Sequence, residues 1–134
     1  FTIIFPVLNE RLRLESGVTR TVEYLQSIAF EDYEIIIVDN GSEDETPQIA
    51  EKLCKKYDKV RYERINVRGV GAAFRRGVEV SHGDVVGYMD IDLSTNIRHL
   101  GEAIHLFETQ PEIQYINPIP GAENGTAGSH PRDF

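Results

Sequence analysis

Two carboxylates one residue apart, Asp90-Ile91-Asp92, follow directly on the apolar run Val85-Val86-Gly87-Tyr88-Met89. In an extended chain they project to the same side, with Ile91 on the other. At about 6 Å they repel by roughly 3 kcal/mol at an effective dielectric near 20, and a hard divalent cation with oxygen ligands is the usual means of offsetting that repulsion. The alternative is a solvated turn whose carboxylates cap the next helix. A second stretch, Gly69-Val70-Gly71-Ala72-Ala73, puts small residues at a helix start, where free backbone N–H groups and the positive dipole end favour phosphate. Arg75 and Arg76 lie one turn further along and Arg68 just before. The same glycines equally suit a turn and close helix–sheet contact. Asp39 either accepts hydrogen bonds from a nucleobase N–H or caps its own turn, Asn40-Gly41-Ser42, through an Asx-type bond. Asn9 and Glu10 read either way in isolation. Together these parts suit a ligand with a base, a diphosphate and a divalent metal.

The elements that must position them alternate in type. Phe1 to Val7 reads as a first strand, ended by Pro6, which cannot donate to a ladder. From about Ser16 to Ala29, Val18, Val22, Leu25 and Ile28/Ala29 recur at helical spacing. Tyr33 to Val38 is a second, β-branched strand of the kind covered on both faces. Thr46 as N-cap and Pro47 at the first helical position open a second helix with Ile49, Ala50, Leu53 and Tyr57 as its stripe. Val60 to Ile65 forms a third strand, and the helix opened by Gly69 turns Val70, Ala73, Phe74, Gly77 and Val78 inward. The fourth strand ends at Asp90. A fourth helix over Ile97 to Thr109 is capped by Ser94 or Thr95, Ile113 to Ile119 reads as a fifth strand, and the remainder as loop or tail.

Strands alternating with helices imply βαβ units, a mainly parallel sheet and right-handed crossovers. Asn9-Glu10, Asp39-Asn40, Asn66 to Gly71 and Asp90-Asp92 each follow the carboxyl end of a successive strand. In an open α/β sheet those ends share one edge, where ligands bind. Four polar clusters distant in sequence therefore converge on one crevice, which favours the ligand reading of the acidic pair.

The chain has 134 residues, enough for one domain with a real core. A net charge of −8 argues against a nucleic-acid partner. Lys52, Lys55, Lys56 and Lys59 read as the solvated face of a helix, whereas Arg68, Arg75 and Arg76 flank glycines. The single Cys54 rules out an internal disulfide or a cysteine-based metal site and reads as a small core residue. No long apolar span or signal peptide is visible, which predicts a soluble, cytoplasmic chain. It begins at Phe1 within an apolar run, without an initiator Met, and so reads as part of something longer.

Pro6-Val7-Leu8-Asn9-Glu10, Val38-Asp39-Asn40-Gly41-Ser42-Glu43-Asp44-Glu45-Thr46, Gly69-Val70-Gly71-Ala72-Ala73-Phe74-Arg75-Arg76-Gly77 and Asp90-Ile91-Asp92 resemble, in order, the serial motifs of family 2 glycosyltransferases. The resemblance runs to about Ile119. Asp90-Ile91-Asp92-Leu93-Ser94-Thr95 is further similar to the branch that glycosylates polyprenyl phosphates, the dolichyl-phosphate mannose and glucose synthases. The resemblance implies a GT-A fold: a three-layer, open, mainly parallel sheet with helices on both faces, here truncated. Residues 1–119 would form the partial nucleotide-sugar-binding domain and 120–134 a loop or tail. It implies inverting transfer of a hexose from a UDP or GDP sugar to an acceptor, a sugar or a polyprenyl phosphate. Asp39 would bind the base, with Pro6, Val7, Asn9 and Glu10 near base and ribose. Gly71, Ala72 and Arg75 would line the nucleotide pocket, Asp90 would meet ribose or metal, with Ile91 beside it in the substrate site, and Asp92 would hold Mg²⁺ or Mn²⁺, with Asp90 as its partner ligand. A lipid acceptor would bring the protein to the cytoplasmic face of a membrane. The family's Lys between the two glycines is Val70 here, so that phosphate contact is lost or moves to Arg68. No catalytic base is assigned, since Glu123 and Asp133 stand outside the aligned motifs.

Three other readings fit fewer of these features. In a dinucleotide-binding oxidoreductase Asp90 lies at a suitable distance after Gly71, but Phe74 occupies the third glycine position. A phosphatase with Asp90 as nucleophile and Asp92 as acid leaves the Asp39 cluster and the glycine turn unexplained. A noncatalytic nucleotide-binding module keeps every motif and lacks only an acceptor half.

Overall fold

The computed structural model describes residues 1–93 and 97–109. Among these residues four strands and four helices alternate: β1 (Thr2–Val7), α1 (Leu14–Ser27), β2 (Glu34–Asp39), α2 (Thr46–Lys56), β3 (Val60–Arg64), α3 (Val70–Val80), β4 (Val86–Tyr88) and α4 (Arg98–Thr109). The sheet has the order β3-β2-β1-β4, and every pairing is parallel. The expected fifth strand, the cap of α4, and the boundary at residue 119 with the tail beyond it lie outside the described residues.

The uniform apolarity of β1 and β2 reflects two covered faces. Ile3, Phe5 and Val7 of β1 and Ile35 and Ile37 of β2 join α1, α2 and α4 side chains such as Leu14, Val18, Leu25, Leu53 and Leu100 in one core. Ile4, Ile36 and Val38 point the other way, to Ala73 of α3 and its neighbours. Each of these buried side chains contributes about 1.5–3 kcal/mol relative to exposure. The result is the three-layer sandwich expected, with α1, α2 and α4 on one face and α3 on the other. No helix among the described residues is long and apolar enough to cross a membrane.

Five local expectations change. Pro6 does not end β1, which runs through it to Val7. The Thr2 N–H bonds Val85 O at 2.7 Å and Ile4 O accepts the Met89 N–H at 3.0 Å, so even-numbered residues face β4, while Val7 O accepts from Asn40 on the β2 side. Pro6 therefore aims its missing donor at β4, whose pairing stops at Tyr88 opposite Ile4, and no ladder bond is lost. β4 itself ends short of Asp90, and the chain turns there. Helix α1 stops at Ser27, leaving Ile28 42% exposed and Ala29 at φ 57°. Val70, at the open end of α3, is 55% exposed rather than inward. Thr46 is not an N-cap: its N–H donates to Asp44 Oδ1 at 2.8 Å, and its hydroxyl accepts the Glu10 N–H at 2.9 Å.

Candidate functional site

Parallel register sets Val7, Asp39 and Arg64, the last residues of three adjacent strands, in one row across the carboxyl edge of the sheet. Asp39 at its centre is completely buried. Its Oδ1 accepts the N–H groups of Gly41 (3.1 Å) and Ser42 (2.7 Å), which is the Asx-type turn. Its Oδ2 accepts from the Tyr62 hydroxyl (2.7 Å) and Arg64 Nη1 (3.3 Å). These four bonds offset the cost of burying the group. Burial and donation to Asp39 push the Tyr62 hydroxyl up to about 12, so it remains a donor at neutral pH. Arg64 Nη2 also binds Ser42 O at 2.9 Å.

The loops leaving this row hold one another. Asn9, at φ 53°, donates its backbone N–H to Ser42 Oγ (2.8 Å) and accepts the Glu43 N–H on its amide oxygen (2.8 Å). The Arg11 N–H reaches Asp44 Oδ2 at 3.3 Å. Desolvation raises the Asp44 carboxyl, but the hydrogen bonds from Thr46 and from the Arg11 N–H together outweigh it and hold the group below its ordinary range. Glu10 pairs with Arg13 at 2.9 Å. On the other side, Asn40 Nδ2 donates to the carbonyls of Val67 (2.9 Å) and Gly69 (3.1 Å), fastening the loop before α3 to the end of β2. Pro6 is half-buried and Val7 buried beneath these loops.

The two glycines at α3 divide the roles left open between them. Gly69 has φ 115° and makes the turn that only glycine enters without strain. Gly71 faces open space, with nothing within 4 Å of where a Cβ would stand. Close helix–sheet contact is made instead by Gly77, where a Cβ would lie 2.7 Å from Ile4 Cγ1. No side chain among the described residues caps the α3 N-terminus, which leaves the N–H groups of its first turn, including Gly71 and Ala72, to solvent or ligand. Arg76 is engaged by Glu63 (3.1 Å) and Glu79 (3.3 Å). Arg68 and Arg75 are exposed and form no ion pair among the described residues.

Beyond β4 the Leu93 N–H returns to Asp90 O at 3.0 Å, and Leu93 has φ 52°. The expected extended geometry is thus replaced by a tight turn. The expected division of sides survives it: Asp90 and Asp92 are exposed, and Ile91 is 3% exposed. Ile91 is wedged against α1 at Gly17. β2 and β4 flank β1, so their ends are separated by about 10 Å, two strand spacings. Two carboxylates present the hard oxygen donors that Mg²⁺ or Mn²⁺ takes. Among the described residues no group of three or more His, Cys, Asp or Glu is placed to hold a metal, so a cation there needs further oxygens from a ligand or water.

Tyr62 and Arg64 do not stand out in the sequence, and Asn40 enters it only as a member of the Asp39-Asn40 cluster. The available signal was the spacing of Tyr62 and Arg64, two apart on a strand and so on one face. Nothing in the sequence indicated that this face meets Asp39.

The chain is 38% identical over 105 residues to the glycosyltransferase AglD of Haloferax volcanii, covering 77% of this chain and 17% of that protein. It is 39% identical over 125 residues to the dolichyl-phosphate beta-glucosyltransferase of Mus musculus, covering 86% and 39%. The chain thus spans less than half the length of these relatives. Among solved structures it resembles the mannosyltransferase PcManGT of Pyrobaculum calidifontis in complex with GDP-Man and Mn²⁺ (TM-score 0.67, 23% identity, 79% of this chain and 31% of that one). It also resembles the glucosyl-3-phosphoglycerate synthase of Mycobacterium tuberculosis in complex with UDP (TM-score 0.64, 25% identity, 84% and 41%). The strand order, the polar rim and these likenesses agree with a match to the Glycosyl transferase family 2 pattern over residues 2–133, and the chain belongs to that family.

Proposed function

We propose that this chain is the donor-binding part of an inverting hexosyltransferase that uses a UDP or GDP sugar and a polyprenyl-phosphate acceptor. The observation that carries the reading is the single polar rim: the Val7–Asp39–Arg64 row, the uncapped α3 N-terminus and the Asp90/Asp92 turn all lie at the carboxyl edge of one parallel sheet. Names of relatives support the acceptor class, since they include dolichyl-phosphate beta-glucosyltransferases and a dolichol-phosphate mannosyltransferase. Complexes of structural neighbours with UDP and Mn²⁺ support the donor class.

In this reading the base lies over Asp39, with Pro6, Val7, Asn9 and Glu10 bordering base and ribose, while Ile91 is the buried anchor of the acidic turn. The first-turn N–H groups at Gly71 and Ala72, with Arg75, meet the diphosphate. Asp90 and Asp92 hold Mg²⁺ or Mn²⁺, whose chemistry when bound is to neutralise the departing diphosphate. Fixed N–H donors and arginines aimed at that developing charge favour its departure over its ground state. An acceptor phosphate is already anionic and needs little general-base assistance. Such an acceptor places the working protein at a membrane surface, on its cytoplasmic side. Residues 1–119 are the donor unit in this reading.

Calorimetry with UDP, GDP and NAD, each with and without Mn²⁺, tests the proposal. Metal-dependent binding of UDP or GDP, abolished by Asp92→Ala, is the expected result. Metal-independent NAD binding, or no nucleotide binding at all, overturns it.

A further inference from the structure

Asp39 is fully occupied. A carboxylate accepts about four hydrogen bonds, and Gly41, Ser42, Tyr62 and Arg64 supply four. A base that bonds Asp39 must therefore remove one of them. The two backbone N–H groups belong to the turn itself and cannot leave without unfolding it. Tyr62 makes a short 2.7 Å bond and its ring packs on the main core. Arg64 differs in each respect. Its contact is the longest at 3.3 Å, it ends its strand, and its side chain is 42% exposed. Its second nitrogen stays on Ser42 O, which gives the guanidinium a pivot.

We propose that Arg64 is a built-in substitute for the donor's base: its guanidinium holds the acceptor position on Asp39 that the base N–H takes, and it leaves when nucleotide binds. The inference rests on the reading above that Asp39 receives the base. Without ligand the buried carboxylate keeps a cationic partner. With ligand, the released guanidinium stays at the rim of the base subsite. Part of the base's binding free energy is consumed in displacing it, so Arg64 sets how strongly the base, as distinct from the diphosphate, counts in donor affinity.

The test compares UDP, GDP and pyrophosphate in the presence of Mn²⁺, by calorimetry on the full-length protein. Variants are Arg64→Met, Arg64→Lys and Asp39→Asn. Arg64→Met should raise the affinity for UDP or GDP relative to pyrophosphate by about 3–10-fold, a change well above measurement error. Arg64→Lys, which cannot span Asp39 and Ser42 as a fork, should give a smaller rise in the same direction, and it carries the test if the methionine variant does not fold. A relative affinity unchanged or lowered in both variants overturns the substitute role alone, provided Asp39→Asn weakens nucleotide. Equal nucleotide affinity in Asp39→Asn and wild type removes the base from Asp39, and this inference falls with that reading. So does a wild-type protein that binds pyrophosphate but neither nucleotide.

Discussion

Gly17 of α1 stands directly against the carbonyl of Ile91, and a Cβ at 17 would also lie 3.1 Å from Ile91 Cγ1 and 2.9 Å from its Cδ1. The acidic turn is seated on a helix from the far end of the motif order because residue 17 has no side chain. Alanine there gains up to about 1 kcal/mol of helix propensity, but overpacking against backbone costs about 1–3 kcal/mol. Gly17→Ala should therefore lower the melting temperature and reduce the Mn²⁺ dependence of UDP or GDP binding, with little change in metal-free binding. Calorimetry with unchanged metal dependence would show that the seat does not control Asp90 and Asp92.

The Asn40 amide touches two carbonyls with one nitrogen. Asn40→Asp keeps the shape and places an acceptor against Val67 O and Gly69 O. A loss of about 1–3 kcal/mol in urea unfolding is expected, with weaker nucleotide binding as the α3 N-terminus loosens. A variant as stable as wild type would assign the loop's position to other contacts.

At the opposite edge of the sheet Glu34 joins four segments. It accepts from Arg61 Nη1 (2.6 Å), the Thr2 hydroxyl (2.7 Å) and the His82 N–H (2.5 Å). Burial raises its carboxyl, but these bonds outweigh burial and hold it below its ordinary 4.5. The folded state thus binds this proton less readily than the unfolded chain. The stability gained is complete above the unfolded value and disappears as pH falls through the lower folded one. Glu34→Gln should flatten the acid limb of the stability curve below about 4.5 while costing about 1–3 kcal/mol at neutral pH. An acid limb identical to wild type would rule out this residue as its source.

Tyr62→Phe leaves Asp39 Oδ2 with the longer Arg64 contact alone. The expected cost is about 1–3 kcal/mol. In spectrophotometric titration of the wild type, one tyrosine should ionise only near about 12, and this late step should vanish in the variant.

Much of the architecture was legible from periodicity, because the strands are buried on both faces and the helices carry clear stripes. That the polar clusters share the carboxyl edge follows from that alternation, whereas their order along it, with β4 beside β1, does not. What escaped were contacts decided by neighbours. Pro6 suits a central strand only because β4 is short, and Thr46 gives up its cap because the Glu10 N–H competes for its hydroxyl. Asp39 offered two uses, and the Asx turn is realised. The two donors on its other oxygen come from β3, whose register with β2 no local pattern encodes. The turn at Asp90 likewise depends on Gly17, more than seventy residues away.

The loop after β1 hangs on the loop after β2 through the N–H groups of Asn9 and Arg11, bound to Ser42 and Asp44 side chains, and of Glu10, bound to Thr46 at the start of α2, with the Glu43 N–H returned to Asn9. Neither segment can fray without the other. Their amides should exchange with deuterium at a common rate, as one cooperative opening unit, so that a ligand contacting either loop slows solvent access to both.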